Sequence, residues 1–146
     1  MTAHQVTVCE SGDGRYSETI TIGRHTLRSD EPTASGGDDN GPSPYQLILA
    51  ALGACTAMTI RMYADRHKMP LSRTTVELQH FTLPSIGDAG KLDYFTRTIR
   101  LEGELTDEQK LRLLEISEKC PVGETLRRSA TVDARLAGMS DMDPAA

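Results

Sequence analysis

Ser43-Pro44-Tyr45-Gln46-Leu47-Ile48-Leu49-Ala50-Ala51-Leu52-Gly53-Ala54-Cys55-Thr56-Ala57-Met58-Thr59-Ile60-Arg61-Met62 reads as a helix from its first residue. Ser43 suits the N-cap and Pro44 the first helical position. Gln46 stands where a capping box places Glu or Gln. From Leu47 to Ala64 the apolar residues fall on nearly every side of the helix. A helix that is apolar on every face is expected to be buried on every face. In a chain of 146 residues that implies a central helix between a sheet and something else, a second subunit being the natural candidate. Polarity returns at Asp65-Arg66-His67-Lys68, with cations suited to the C-terminal end of the helix dipole, and Pro70 stops the helix.

The flanks supply the sheet. Residues 4–28 alternate polar and apolar around the turn Ser11-Gly12-Asp13-Gly14, with a third short strand over His25 to Arg28. Residues 29–43 are rich in Gly, Pro and Asp and read as a surface loop, a candidate lid. Their acidic cluster lacks the ligand spacing of a calcium loop. Val76 and Leu78 mark a strand over 72–81. Its partner runs from Tyr94 to Glu102, with Phe95, Ile99 and Leu101 on one face and Arg97 as the exception. Thr106 and Gln109 open a second helix with a capping box, expected to end at Cys120-Pro121. Val122 to Leu126 fits a short helical turn and Ala130 to Leu136 a last strand. The expected order is β-β-β-α-β-β-α-β, an α+β fold. Residues 1–138 form one domain and residues 139–146 a frayed tail.

Hydrophobic residues make up 38% of the chain and aromatics 4%, so the core rests on Leu, Ile, Val, Ala and Met. A net charge of −5 with interspersed signs argues against a nucleic-acid partner. No targeting segment is visible at the start. The longest apolar run, Leu47 to Ala54, is interrupted by Gly53 and reads as too short for a membrane span. The expected location is therefore cytoplasmic. Three cysteines, an odd number, in a reducing compartment leave catalysis, redox sensing or plain burial. His25, His67 and His80 have no partner at metal-ligand spacing, so no metal is expected.

Cys55 and Cys120 carry the chemical interest, although burial as a small hydrophobe is the default for either alone. Cys55 lies 12 residues beyond Ser43, roughly 18 Å along the axis at 1.5 Å per residue. The helix dipole fades within the first turn, so a reactive Cys55 needs a nearby cation.

Gly41-Pro42-Ser43-Pro44-Tyr45 through Ala51-Leu52-Gly53-Ala54-Cys55-Thr56-Ala57-Met58-Thr59 resembles the central helix of the OsmC/Ohr superfamily. Glu118-Lys119-Cys120-Pro121-Val122 resembles its second-cysteine motif, and both look closest to the OsmC-like subgroup. The resemblance implies an intertwined homodimer with its sites at the interface, and a hydroperoxide reductase. Cys55 would attack the peroxide and Cys120 would resolve the sulfenic acid as a disulfide. An external thiol or dithiol would reset the pair, with no metal or organic cofactor. Two features depart from the pattern. Ohr-like relatives carry a glutamate ten positions before the first cysteine, where it holds an arginine over the thiolate; Tyr45 stands there, beside Gln46. Gly123 stands where a histidine is frequent. Arg15 and Arg28 are the candidates for the activating arginine and Gln46 a candidate for the glutamate's role. Two further readings fit the same residues: a non-catalytic dimeric module holding an apolar ligand, and a redox sensor switched by the Cys55–Cys120 disulfide.

Overall fold

A computed structural model describes residues 3–84, 87 and 90–138. The expected tail at 139–146 lies outside the described residues. Strands β1 (Thr7–Glu10), β2 (Glu18–Ile22) and β3 (His25–Ser29) form an antiparallel meander. The loop that follows folds onto a single buried carboxylate. Asp30 accepts the backbone N–H groups of Glu31 (2.8 Å), Asp38 (3.3 Å) and Asn40 (3.1 Å).

Helix α1 (Pro44–Arg66) starts where its capping signals place it. Gln46 N–H donates to Ser43 Oγ (3.4 Å), and Ser43 N–H donates to Gln46 Oε1 (2.9 Å). Strands β4 (Leu71–Pro84) and β5 (Lys91–Gly103) form a long antiparallel hairpin. Its register sets Val76 opposite Ile99, Leu78 opposite Arg97 and His80 opposite Phe95. Helix α2 (Asp107–Ser117) repeats the capping box, with Thr106 and Gln109 bonded at 3.1 and 3.0 Å. Helix α3 (Pro121–Arg128) completes the described elements.

The hairpin packs on one side of α1, and α2 and α3 pack beside it. Gly53 permits the approach to β4, since a Cβ there would stand 2.7 Å from Leu78 Cδ1. The core is Ile60, Ala64, Leu71 and Leu113, ringed by Tyr63, Met69, Ile99, Leu101 and Leu105. The meander makes its main contacts within itself.

Four findings bear on the expectations. First, the chain by itself covers one face of α1: Leu52, Gly53, Thr56, Ile60 and Ala64 are buried. Tyr45, Met58 and Met62 are exposed, Met62 by 64%. One hairpin and two short helices are too narrow to enclose the cylinder. Second, residues 130–136 form no strand. Val132 is 91% exposed, because among the described residues no strand offers its edge to the segment. Third, α2 stops at Ser117, and Cys120 and Pro121 begin α3 as N-cap and first helical residue instead of ending α2. Fourth, α1 is long and apolar enough to cross a bilayer by length and composition, because Gly53 and the threonines do not interrupt the helix. Here α1 is the packed helix of the fold.

Candidate active site

The middle of α1, the α2–α3 junction and the inward face of β5 converge on the two cysteines. Cys55 is half-buried and Cys120 wholly buried. The two thiols are near enough for each to act on the other's ionisation. The tight break between α2 and α3 produces this proximity. Pro121 cannot continue α2 as a bonded helical residue but suits the start of α3, which leaves Cys120 as N-cap, its Sγ accepting the Gly123 N–H at 3.4 Å. Thr56 projects between the cysteines' elements and donates to Leu52 O at 2.7 Å.

The charged group beside the pair is Arg97. Its side chain is only 11% exposed. Nη1 donates to Thr56 Oγ1 and to Ser117 O, each at 3.0 Å, and Nη2 donates to Glu118 Oε1 at 3.3 Å. Arg127 donates to the other Glu118 oxygen and, at 3.0 Å, to the Glu118 carbonyl. One carboxylate thus holds two guanidinium groups at the α2–α3 junction.

The pair shares its charge unequally and titrates as a unit. Burial pushes the Cys55 thiol up; the Val122 N–H pulls it back, and the neighbouring Cys120 raises it further. Burial also acts to raise Cys120, but the neighbouring Cys55, the Gly123 N–H, Thr56 and the Val122 N–H outweigh it and bring that thiol below its ordinary value. Both directions favour ionisation of Cys120 over that of Cys55.

A cleft of about 690 Å³ opens beside the pair between α1, β5 and α3. Tyr45, Ile48, Leu52, Phe95, Arg97 and Gly123 are among its walls. Tyr45 stacks on His80 at 4.6 Å, and His80 bonds Asp93 at 2.8 Å.

The structure brings Cys55 and Cys120 together and places the other candidates elsewhere in the chain. Gln46 serves as the cap partner of α1. Arg28 donates to Asp13 (2.7 Å) and Ser17 (2.6 Å) on the meander and holds the Asp13 carboxyl down at about 2. Arg15 lies over the Tyr16 ring at 5.5 Å. Arg97, Thr56 and Glu118 were not selected from the sequence as site residues. The available signal was Arg97 itself, the charge that interrupts the apolar face of β5.

Comparison with known proteins matches residues 36–135 to the OsmC-like protein family. No curated protein matches the chain. Among solved structures, an OsmC-like protein from Mycoplasma pneumoniae superposes with a TM-score of 0.70 at 16% identity, covering 86% of this chain and 88% of that one. An organic hydroperoxide resistance protein OsmC from Legionella pneumophila gives 0.65 at 20% identity, covering 87% and 90%. The organic hydroperoxide resistance protein OhrB of Bacillus subtilis gives 0.62 at 22% identity, covering 86% and 91%.

Proposed function

The chain belongs to the OsmC-like protein family, and from that premise we propose that it reduces organic hydroperoxides at the Cys55–Cys120 pair. The observation that carries this reading is the meeting of two thiols from separate elements, next to Leu52 and Gly123, which wall a cleft.

Cys55 is the nucleophile because it is the thiol of the two with exposed surface. As the peroxide enters, the Cys55 proton passes to the neighbouring Cys120 thiolate. The Cys55 thiolate attacks one peroxide oxygen and the O–O bond breaks. Cys55 becomes a sulfenic acid, and the alkoxide leaves as an alcohol after taking a proton. Cys120 then attacks the Cys55 sulfur, forming the disulfide and releasing water. An external dithiol reduces the disulfide by exchange and is itself oxidised. These steps need no metal or organic cofactor, and they suit a reducing, cytoplasmic setting.

The working unit we propose is a homodimer. Support comes from the uncovered apolar side of α1 and from a meander that barely touches the helices of its own chain. A second copy would cover both.

The test is steady-state consumption of cumene hydroperoxide with dithiothreitol. Wild type turns over and Cys55→Ser does not. A wild type that consumes no peroxide would remove the enzymatic reading and favour the alternative of an apolar-ligand module, for which the cleft is the supporting feature.

A further inference from the structure

We propose that α3 is a redox-sensitive wall of the cleft: the Cys120 sulfur caps the helix while the pair is reduced, and closing the Cys55–Cys120 disulfide weakens that cap and loosens α3 beside the new bond. The switch rests on the cysteine pairing proposed above.

Helix α3 is short and thinly held. It has eight residues, and an isolated helix shorter than about 12–15 residues is marginal in water. Val122 and Gly123 have covered surface, whereas Pro121 and residues 124–128 are exposed. At its far end Ser129 has φ 64° and ψ 176°, a region suited to glycine, so that end adds strain instead of hold. Arg127 ties α3 to the Glu118 carbonyl at 3.0 Å and to the Glu118 carboxylate. That side chain is 49% exposed, and solvent weakens such an ion pair. The buried tie is the cap itself, Cys120 Sγ accepting the Gly123 N–H at 3.4 Å.

Oxidation changes what that sulfur can do. A thiolate is a strong acceptor and a thiol a weak one. The Gly123 and Val122 N–H groups both favour the thiolate of Cys120. A disulfide sulfur carries no charge, and it must turn toward Cys55 to bond it. Cys55 lies midway along the 23 residues of α1, a long helix packed on the β4–β5 hairpin, so Cys120 and the start of α3 make the adjustment. Gly123, Leu126 and Arg127 of α3 line the cleft. A loosened α3 therefore opens the wall next to the disulfide and gives an external dithiol room to reach it. The coupling is reciprocal: a cap that favours the reduced pair also eases reduction of the disulfide.

The experiment is amide hydrogen exchange on the full-length Cys9→Ser protein, which leaves only the pair to react, before and after oxidation with diamide. Both S–H bonds break and one S–S bond forms, while the two protons and two electrons convert the N=N bond of the reagent to a hydrazine. Mass spectrometry verifies the loss of two hydrogens. Amides of α3 should exchange about fivefold faster in the disulfide state, the size of effect expected from a lost helix cap, while those around Ile60 in α1 are unchanged. Adding Cys55→Ser keeps the cap but prevents the disulfide, and diamide should then leave α3 exchange as it was. Equal exchange of α3 in the two states, with the crosslink present, overturns the switch and leaves the pairing standing. Faster exchange shared equally by Ile60 and its neighbours also overturns the switch, because the loosening is then general. Absence of the crosslink overturns the pairing and the switch together.

Discussion

Cys120 has two jobs in this structure, and Cys120→Ala and Cys120→Ser separate them. The first job is mechanical: Sγ caps α3 by accepting the Gly123 N–H at 3.4 Å in a fully buried position. Alanine removes that acceptor. Loss of an N-cap costs about 1 kcal/mol. Deleting a buried atom of methylene size adds about 1 kcal/mol for the space it leaves. Serine keeps an oxygen that can accept the same N–H, so the capping part is retained. The serine variant should therefore be more stable than the alanine variant by about 1 kcal/mol, seen as a midpoint about 2–4 °C higher for a chain of this size. Urea and thermal melts measure this under reducing conditions at one fixed protein concentration. The second job is chemical, and there the two variants should agree. Both should consume a single equivalent of hydroperoxide and then accumulate a Cys55 sulfenic acid that dimedone traps. Equal stability of the two variants would refute the capping role. Normal turnover of either variant with a monothiol would refute the resolving role.

Ile60 is fully buried at the centre of the core, and Ile60→Ala should lower stability by about 2–5 kcal/mol in urea melts. Gly103 has φ 134°, and a Cβ there would stand 2.1 Å from Pro70 O. Gly103→Ala should therefore be more damaging than Gly12→Ala, whose added Cβ meets nothing within 4 Å; parity of the two in thermal melts would contradict the close approach. Sedimentation at micromolar concentration should show a dimer, and a folded monomer there would contradict the proposed pairing across α1.

The start of α1 was legible because its signals are local. Ser43, Pro44 and Gln46 determine a cap by themselves, as Thr106 and Gln109 do for α2. The β4–β5 pairing was legible from alternation, since one face of each strand must meet the helix. The segment from Ala130 shows the limit of that signal: it alternates well enough for a strand, but alternation cannot supply a neighbouring edge. The apolar circumference of α1 likewise states how much surface needs covering without saying which chain covers it. At the site, the cysteines were visible through their motifs, and the need for a cation was visible through the position of Cys55 so far from the helix start. The nearness of Arg97 to the site was not. Arg97 lies 42 residues from Cys55 and 23 from Cys120, and only the hairpin register and the packing of α1 on β4 bring it near the site. A charged residue on an otherwise apolar strand face was the available clue, and it told of a buried partner without naming Thr56 or Glu118.

The central claim is that Cys55 and Cys120 act as one redox pair. Intact-protein mass spectrometry after one equivalent of cumene hydroperoxide, followed by peptide mapping without reductant, tests it directly. The account predicts loss of two hydrogens from the chain, a Cys55–Cys120 crosslinked peptide, and return to the starting mass with dithiothreitol. An unchanged mass, or oxidation confined to the exposed Cys9, would contradict it.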